Sequence, residues 1–145
     1  MAQLPDELRC RTTLNSQPIP GILLKAYLGM HAKNSYTFII GPTNIEGEAV
    51  LSKASIIMEA EEQRGLALMD YRPIENEFSG GISIRIMTEE DIRNALAAFK
   101  QFKEYSKYPE GYQQMLEAAL LNPMLKEIDL IKVEKLFRSK VERLL

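Results

Sequence analysis

Apolar and polar residues alternate along the first part of the chain and recur every third or fourth position along the last part. Leu8, Cys10, Thr12 and Leu14 alternate with Arg9, Arg11 and Thr13. Such a rhythm puts one face inward and one in water, as in a half-exposed strand. The run 15–21 holds Pro18, Pro20 and Gly21, cannot continue a ladder, and predicts a loop. Over 22–30, Ile22, Leu24, Ala26, Leu28 and Met30 share one face while Leu23 and Tyr27 lie on the other, which predicts a more central strand. Positions 31–34 read as a polar connection. Residues 35–40 are β-branched and aromatic and predict another strand. A second turn follows over 41–47, where Asn44 and Gly47 tolerate positive φ and Pro42 sets the entry. A short strand is expected at 48–51. Ser52 then caps a helix to Arg64, with Ala54, Ile57, Met58 and Glu61 at helical spacing and Gly65 ending it. A strand is predicted over 66–71 and a loop over 72–79. Ile82, Ile84 and Ile86, alternating with Ser83, Arg85 and Met87, form the cleanest strand of the chain.

The period changes at Thr88. Thr88-Glu89-Glu90-Asp91 resembles a capping box, with acidic side chains at the positive end of a helix dipole, although Asp91 is shorter than the preferred Glu. Ile92, Leu96, Phe99 and Phe102 mark one buried stripe. Pro109 and Gly111 interrupt it. Tyr112, Met115, Leu116, Ala119 and Leu120 predict a second helix, and Asn122-Pro123 starts a third with the stripe Leu130, Val133, Phe137, Val141 and Leu144. The expected fold is therefore α+β: an N-terminal antiparallel β-sandwich with one short helix over 1–87, followed by a C-terminal three-helix segment over 88–145.

At 145 residues and 46% hydrophobic content, the chain has material for a core without disulfide or metal staples. A net charge of −2 gives no general attraction to phosphate backbones, and aromatic residues do not interleave with Lys and Arg as stacking platforms require, so nucleic-acid binding is not expected. The single cysteine, Cys10, allows neither an internal disulfide nor a zinc knuckle, and its alternation places it in the core. The N-terminus lacks the basic start and apolar run of a signal peptide. No stretch approaches the ~18 apolar residues of a membrane span. A cytoplasmic location follows as the expectation, with no cofactor and no metal ligands.

Two punctuations carry a resemblance. Pro18-Ile19-Pro20-Gly21 leads into an apolar strand, and Thr43-Asn44-Ile45-Glu46-Gly47 joins one strand to the next. Over residues 8–87 this resembles transthyretin-like and carboxypeptidase-regulatory-like sandwiches, with the helix at 52–64 matching the short helix of transthyretin-like members. The resemblance implies one of several activities: hormone carriage, hydrolysis of 5-hydroxyisourate, or a non-enzymatic accessory role. The hydrolases use several histidines, an arginine and a terminal Tyr-Arg-Gly-Ser. This chain has only His31 and reads Arg143-Leu144-Leu145 in the last positions, so those residues do not carry over and the accessory role is favoured.

The remaining polar clusters are sparse. Glu59, Glu61 and Glu62 read as a solvated helix face. Gly80-Gly81 precedes a strand and lacks the lysine of a phosphate loop, so it reads as a turn or bulge. Asp70-Tyr71-Arg72 combines a carboxylate, a phenol and a guanidinium at a predicted strand end. Two functions follow. The first is a non-enzymatic interaction module, binding a protein partner or itself through Phe99, Phe102, Phe137 and Val141 on the helices. The second is a small-ligand binder or hydrolase built on Asp70, Tyr71 and Arg72, with His31 as an accessory group.

Overall fold

The computed structural model describes residues 4–30, 36–64, 73–102 and 111–136. Strand β1 (Glu7–Leu14) is the centre of the first sheet. Along one edge it pairs antiparallel with β5 (Glu48–Ser52), from Glu7 opposite Ser52 to Arg11 opposite Glu48. Asn15 and Ser16, both at positive φ, then reverse the chain into β2 (Gln17–Pro18), a two-residue strand inside the predicted loop. Two positive-φ residues give a turn whose twist matches that of the flanking strands. Thr13 faces Pro18 on one side and Lys132 on the other, because β7 (Lys132–Lys135) runs along the opposite edge of β1.

The second sheet has β3 (Leu24–Met30) between β4 (Tyr36–Ile40) and β6 (Phe78–Ile86), all antiparallel. The central position expected for β3 is observed. The loop predicted over 72–79 is not. Ile74–Glu77 forms a helical turn, α2, and β6 already begins at Phe78. Ile74 and Phe78, four positions apart, are both buried and anchor this segment in the core. Leu28 faces Ile82 and Met30 faces Phe78, so β6 runs four positions where β3 runs two. The surplus sits at Gly80-Gly81 as the expected bulge, with Gly80 at φ 102.

Both sheets send their inward residues into one core: Leu8 and Cys10 from the first, Leu24, Leu28, Phe38 and Ile40 from the second. Each such fully buried leucine or isoleucine contributes on the order of 2 kcal/mol. Burial pushes the Cys10 thiol up to about 11, against the opposing charge of Lys135. Helix α1 (Lys53–Arg64) closes this core and is capped by Ser52, whose Oγ accepts from Ser55 N at 3.2 Å. Its buried face is Ile56 and Ala60; of the stripe predicted from Ala54, Ile57, Met58 and Glu61, only Ile57 packs inward, and Met58 is 58% exposed. Ile56, Ile57 and Met58 are consecutive, and three adjacent apolar residues leave the rotation of a helix undetermined by periodicity.

Helices α3 (Glu89–Phe102) and α4 (Tyr112–Leu120) pack through Ile92, Leu96, Leu116 and Ala119 onto Leu23 and Met87 at one end of the second sheet. The third predicted helix is instead a 3-10 helix, Pro123–Leu130, with Asn122 accepting from Met124 N at 2.9 Å. It stops at Leu130, and Val133 lies on β7 rather than on a helical stripe. Between Lys132, Glu134 and Lys135, Val133 offers no apolar period of three or four, whereas the edge of β1 offers a ladder. The outcome is the expected α+β architecture, with β7 joining the sheet built by the front of the chain. Among the described residues no helix is long and apolar enough to cross a membrane.

The two turn segments noted in the sequence meet each other. Thr43 Oγ1 donates to Ile19 O at 2.8 Å and accepts from Ile22 N at 3.0 Å, while Gly21 N donates to Thr43 O and Thr43 N to Ile22 O. Thr12 Oγ1, fully buried, donates to the same Ile19 carbonyl at 2.8 Å. Asn44 Oδ1 accepts from Glu46 N and Glu48 N and holds the second turn closed. Buried hydroxyls of this kind are stabilising only when fully partnered, and here each has a carbonyl within reach.

Candidate functional site

Asp70, Tyr71, Arg72, His31, Phe137 and Val141 lie outside the described residues, as does the side chain of Phe102. Phe99 is half-buried, its ring 5.6 Å from that of Tyr112 and tilted by 50°, within the α3–α4 pair. The polar residues that the fold does bring together come from elsewhere.

Strand alternation turns Lys25 and Tyr27 of β3, and Ser83 and Arg85 of β6, to the outward face of the second sheet. Register sets Arg85 opposite Lys25 and Ser83 opposite Tyr27. Arg85 leans diagonally over β3: Nη2 donates to Tyr27 Oη at 2.9 Å, and its guanidinium lies 5.6 Å from the ring centroid. Lys25 Nζ lies 5.6 Å from the same ring. Asp91 on α3 accepts from Arg85 at 2.5 and 3.2 Å and from Thr88 N at 2.9 Å, while Thr88 Oγ1 accepts from Asp91 N at 3.1 Å. The reciprocal capping bond therefore forms with aspartate. The Arg85 hydrogen bond holds the Asp91 carboxyl well below the usual carboxylate range, and the same bond raises Arg85. The arrangement is a strut joining β6, β3 and the start of α3. It ties the one charged side chain of β6 to β3 and α3 on the outward face.

The outward face of the first sheet carries a different charge pattern. Arg9 pairs with Glu7 at 3.0 Å and Glu48 at 2.9 Å, and Arg11 pairs with Glu48 at 2.6 Å. Hydrogen bonds from Arg11 and then Arg9 lower the Glu48 carboxyl. Half-exposed pairs of this sort make a solvated ladder worth little individually.

No protein-family model matches the chain, and neither the curated proteins nor the solved structures include a match.

The outer edge of β6 presents backbone groups rather than charged side chains. Met87 N donates to Leu23 O across the ladder. Backbone direction alternates along a strand, so Arg85 and Ser83 turn their amides and carbonyls to β3, and Ile82, Ile84 and Ile86 turn theirs away from it. Among the described residues those outward groups have no backbone partner; the Ile86 carbonyl alone receives a long 3.3 Å contact from Arg85. The Ile82 and Ile84 side chains are half-buried on the core side, while Ser83 and Arg85 are exposed. A second surface is a shallow apolar trough of about 620 Å³ between α4 and the loops at Gly21 and Pro42, with Leu121 83% exposed at its rim. Asn122 Nδ2 closes one side by donating to Pro20 O at 3.2 Å. Gly21, at φ 78, leaves room for that amide, which a Cβ would meet at 2.9 Å.

The sequence showed the strand at Ile82–Ile86 but not its place at the edge, which follows from strand order; within Phe78–Ile86 only Arg85 carries a charge, and weakly guarded edges are the ones that accept another chain. The Lys25–Tyr27–Arg85–Asp91 cluster had no signal in the sequence, because it depends on register between distant segments.

Proposed function

We propose that the chain is a non-enzymatic interaction module that takes an extended protein segment along the outer edge of β6. The observation that carries this reading is the outward row of amides and carbonyls at Ile82, Ile84 and Ile86 without backbone partners among the described residues. An added strand gains main-chain hydrogen bonds worth about 0.5–1.5 kcal/mol each. Its alternate side chains extend the half-buried ledge of Ile82 and Ile84 on one face and meet Ser83 on the other. The accessory role implied by the transthyretin-like pattern points the same way. Asp91 and Tyr27 hold Arg85 at the Ile86 end, where it also reaches the Ile86 carbonyl, so no charged side chain of β6 lies beside the Ile82 and Ile84 groups.

The test is a selection of extended peptides from a displayed library on the folded chain, followed by amide hydrogen exchange of the complexes. Slowed exchange at Ile82 and Ile84, and loss of binding in Ile84→Pro, are expected. Peptides that protect other segments and still bind Ile84→Pro would remove this reading.

A further inference from the structure

We infer that the segment received by this edge is β6 of a second copy of the chain, paired antiparallel about a two-fold axis at Ile84. This rests on the reading of the β6 edge given above. Residues 82–86 read Ile-Ser-Ile-Arg-Ile, a pattern of apolar and polar positions symmetric about Ile84. Self-pairing there sets Ile84 against Ile84, Ile82 against Ile86, and Ser83 against Arg85. Every outward amide and carbonyl of the three isoleucines then meets its counterpart, and the contact is closed and isologous. The isoleucines meet on the core side and Ser83 meets Arg85 on the outer side, so each face keeps its character across the axis.

The alternatives in register are poor. A slip by one residue sets outward backbone groups against inward ones and reverses the faces. A symmetric slip to Ile82 brings Gly80, at φ 102 in the bulge, into the ladder. A symmetric slip to Ile86 brings in Thr88, the cap of α3. An axis at Ser83 also brings Gly80 into the ladder, opposite Ile86, and an axis at Arg85 sets the two Arg85 side chains directly against each other; the Ile84 axis avoids both. Charge agrees with it: like charges directly opposite are unfavourable, and here each Arg85 faces a serine while its own Asp91 neutralises it. A five-residue edge falls below the ~1,200 Å² of a stable interface, so the pairing is reversible and concentration-dependent.

Sedimentation velocity of the full chain from about 1 to about 300 µM tests it, a span suited to weak association. The expected result is a monomer that becomes a dimer with concentration. Ser83→Lys places a cation opposite the partner's Arg85 twice per dimer and weakens association about tenfold, while Ser83→Asp strengthens it several-fold. Ser83 is exposed, so both variants retain the fold, and the opposed signs are not expected from a structural role. A chain that stays monomeric throughout, or a dimer indifferent to both substitutions, would overturn the inference. The edge reading fails separately, in the peptide selection: a strict monomer whose Ile82 and Ile84 amides are still protected by peptides removes the second copy alone.

Discussion

The two sheets end in strands of opposite character. β7 has four residues, three of them charged, and lies against β1 with Lys132, Glu134 and Lys135 facing solvent. β6 has nine residues and one charge, and that charge is tied back to α3 and β3. Short, charged edges resist further pairing, whereas long neutral ones invite it. The difference shows that edge protection is placed locally: among the described residues one sheet ends in a charged strand and the other in a regular stretch that only its lower bulge interrupts. It also separates two uses of charge, a solvated ladder on the first sheet and a fixed strut on the second.

Beneath these edges the two sheets share one core, and the largest effects test that sharing. Leu8→Ala in the first sheet and Leu28→Ala in the second should each lose about 3 kcal/mol, because both side chains are fully buried. Urea denaturation followed by circular dichroism should show a single transition for both. Two separated transitions would mean that the sheets are independent. Next comes the clip between the turns. Thr43→Val removes one hydroxyl that both donates to Ile19 O and accepts from Ile22 N, and should lose about 2 kcal/mol in the same assay.

The strut should matter less. Asp91→Asn keeps a capping oxygen but loses the charge paired with Arg85, for about 1 kcal/mol at neutral pH. The Asp91 carboxyl is depressed in the folded state. Its contribution is therefore complete above the unfolded value of about 4 and is lost as pH falls below it. Wild type and Asp91→Asn should converge in stability on acidification; parallel curves would show that the Arg85 pair contributes nothing. Smallest of all is the ladder of the first sheet. Glu48→Gln should change stability only slightly, and the change should shrink further in added salt as the exposed charges are screened. An effect equal to that of Asp91→Asn would erase the distinction between ladder and strut.

Much of the β architecture was legible because alternation is a local property. Leu8, Cys10 and Thr12, and Leu24, Ala26 and Leu28, read as inward faces and are buried. Thr88 and Asp91 announced the start of α3, and Ser52 that of α1. What stayed hidden depended on contacts across the chain. The rotation of α1 is decided by the core, not by Ile56, Ile57 and Met58 among themselves. The segment Lys132–Lys135 becomes a strand because β1 offers it an edge, and no local pattern announces that offer. The same holds for the site. The strand Ile82–Ile86 was plain from its isoleucines, but that β6 ends a sheet follows only from strand order. Lys25, Tyr27, Arg85 and Asp91 converge from three segments through register alone.

The pairing of Thr13 with Lys132 has a temporal meaning. A ribosome releases β1 early and β7 more than a hundred residues later. Through most of translation the nascent chain carries one side of β1 uncovered. The contacts that finish the first sheet are among the most distant in sequence, and distant contacts form slowly. Until residues 132–135 arrive, that edge of β1 keeps its backbone groups open, so the first sheet is completed last.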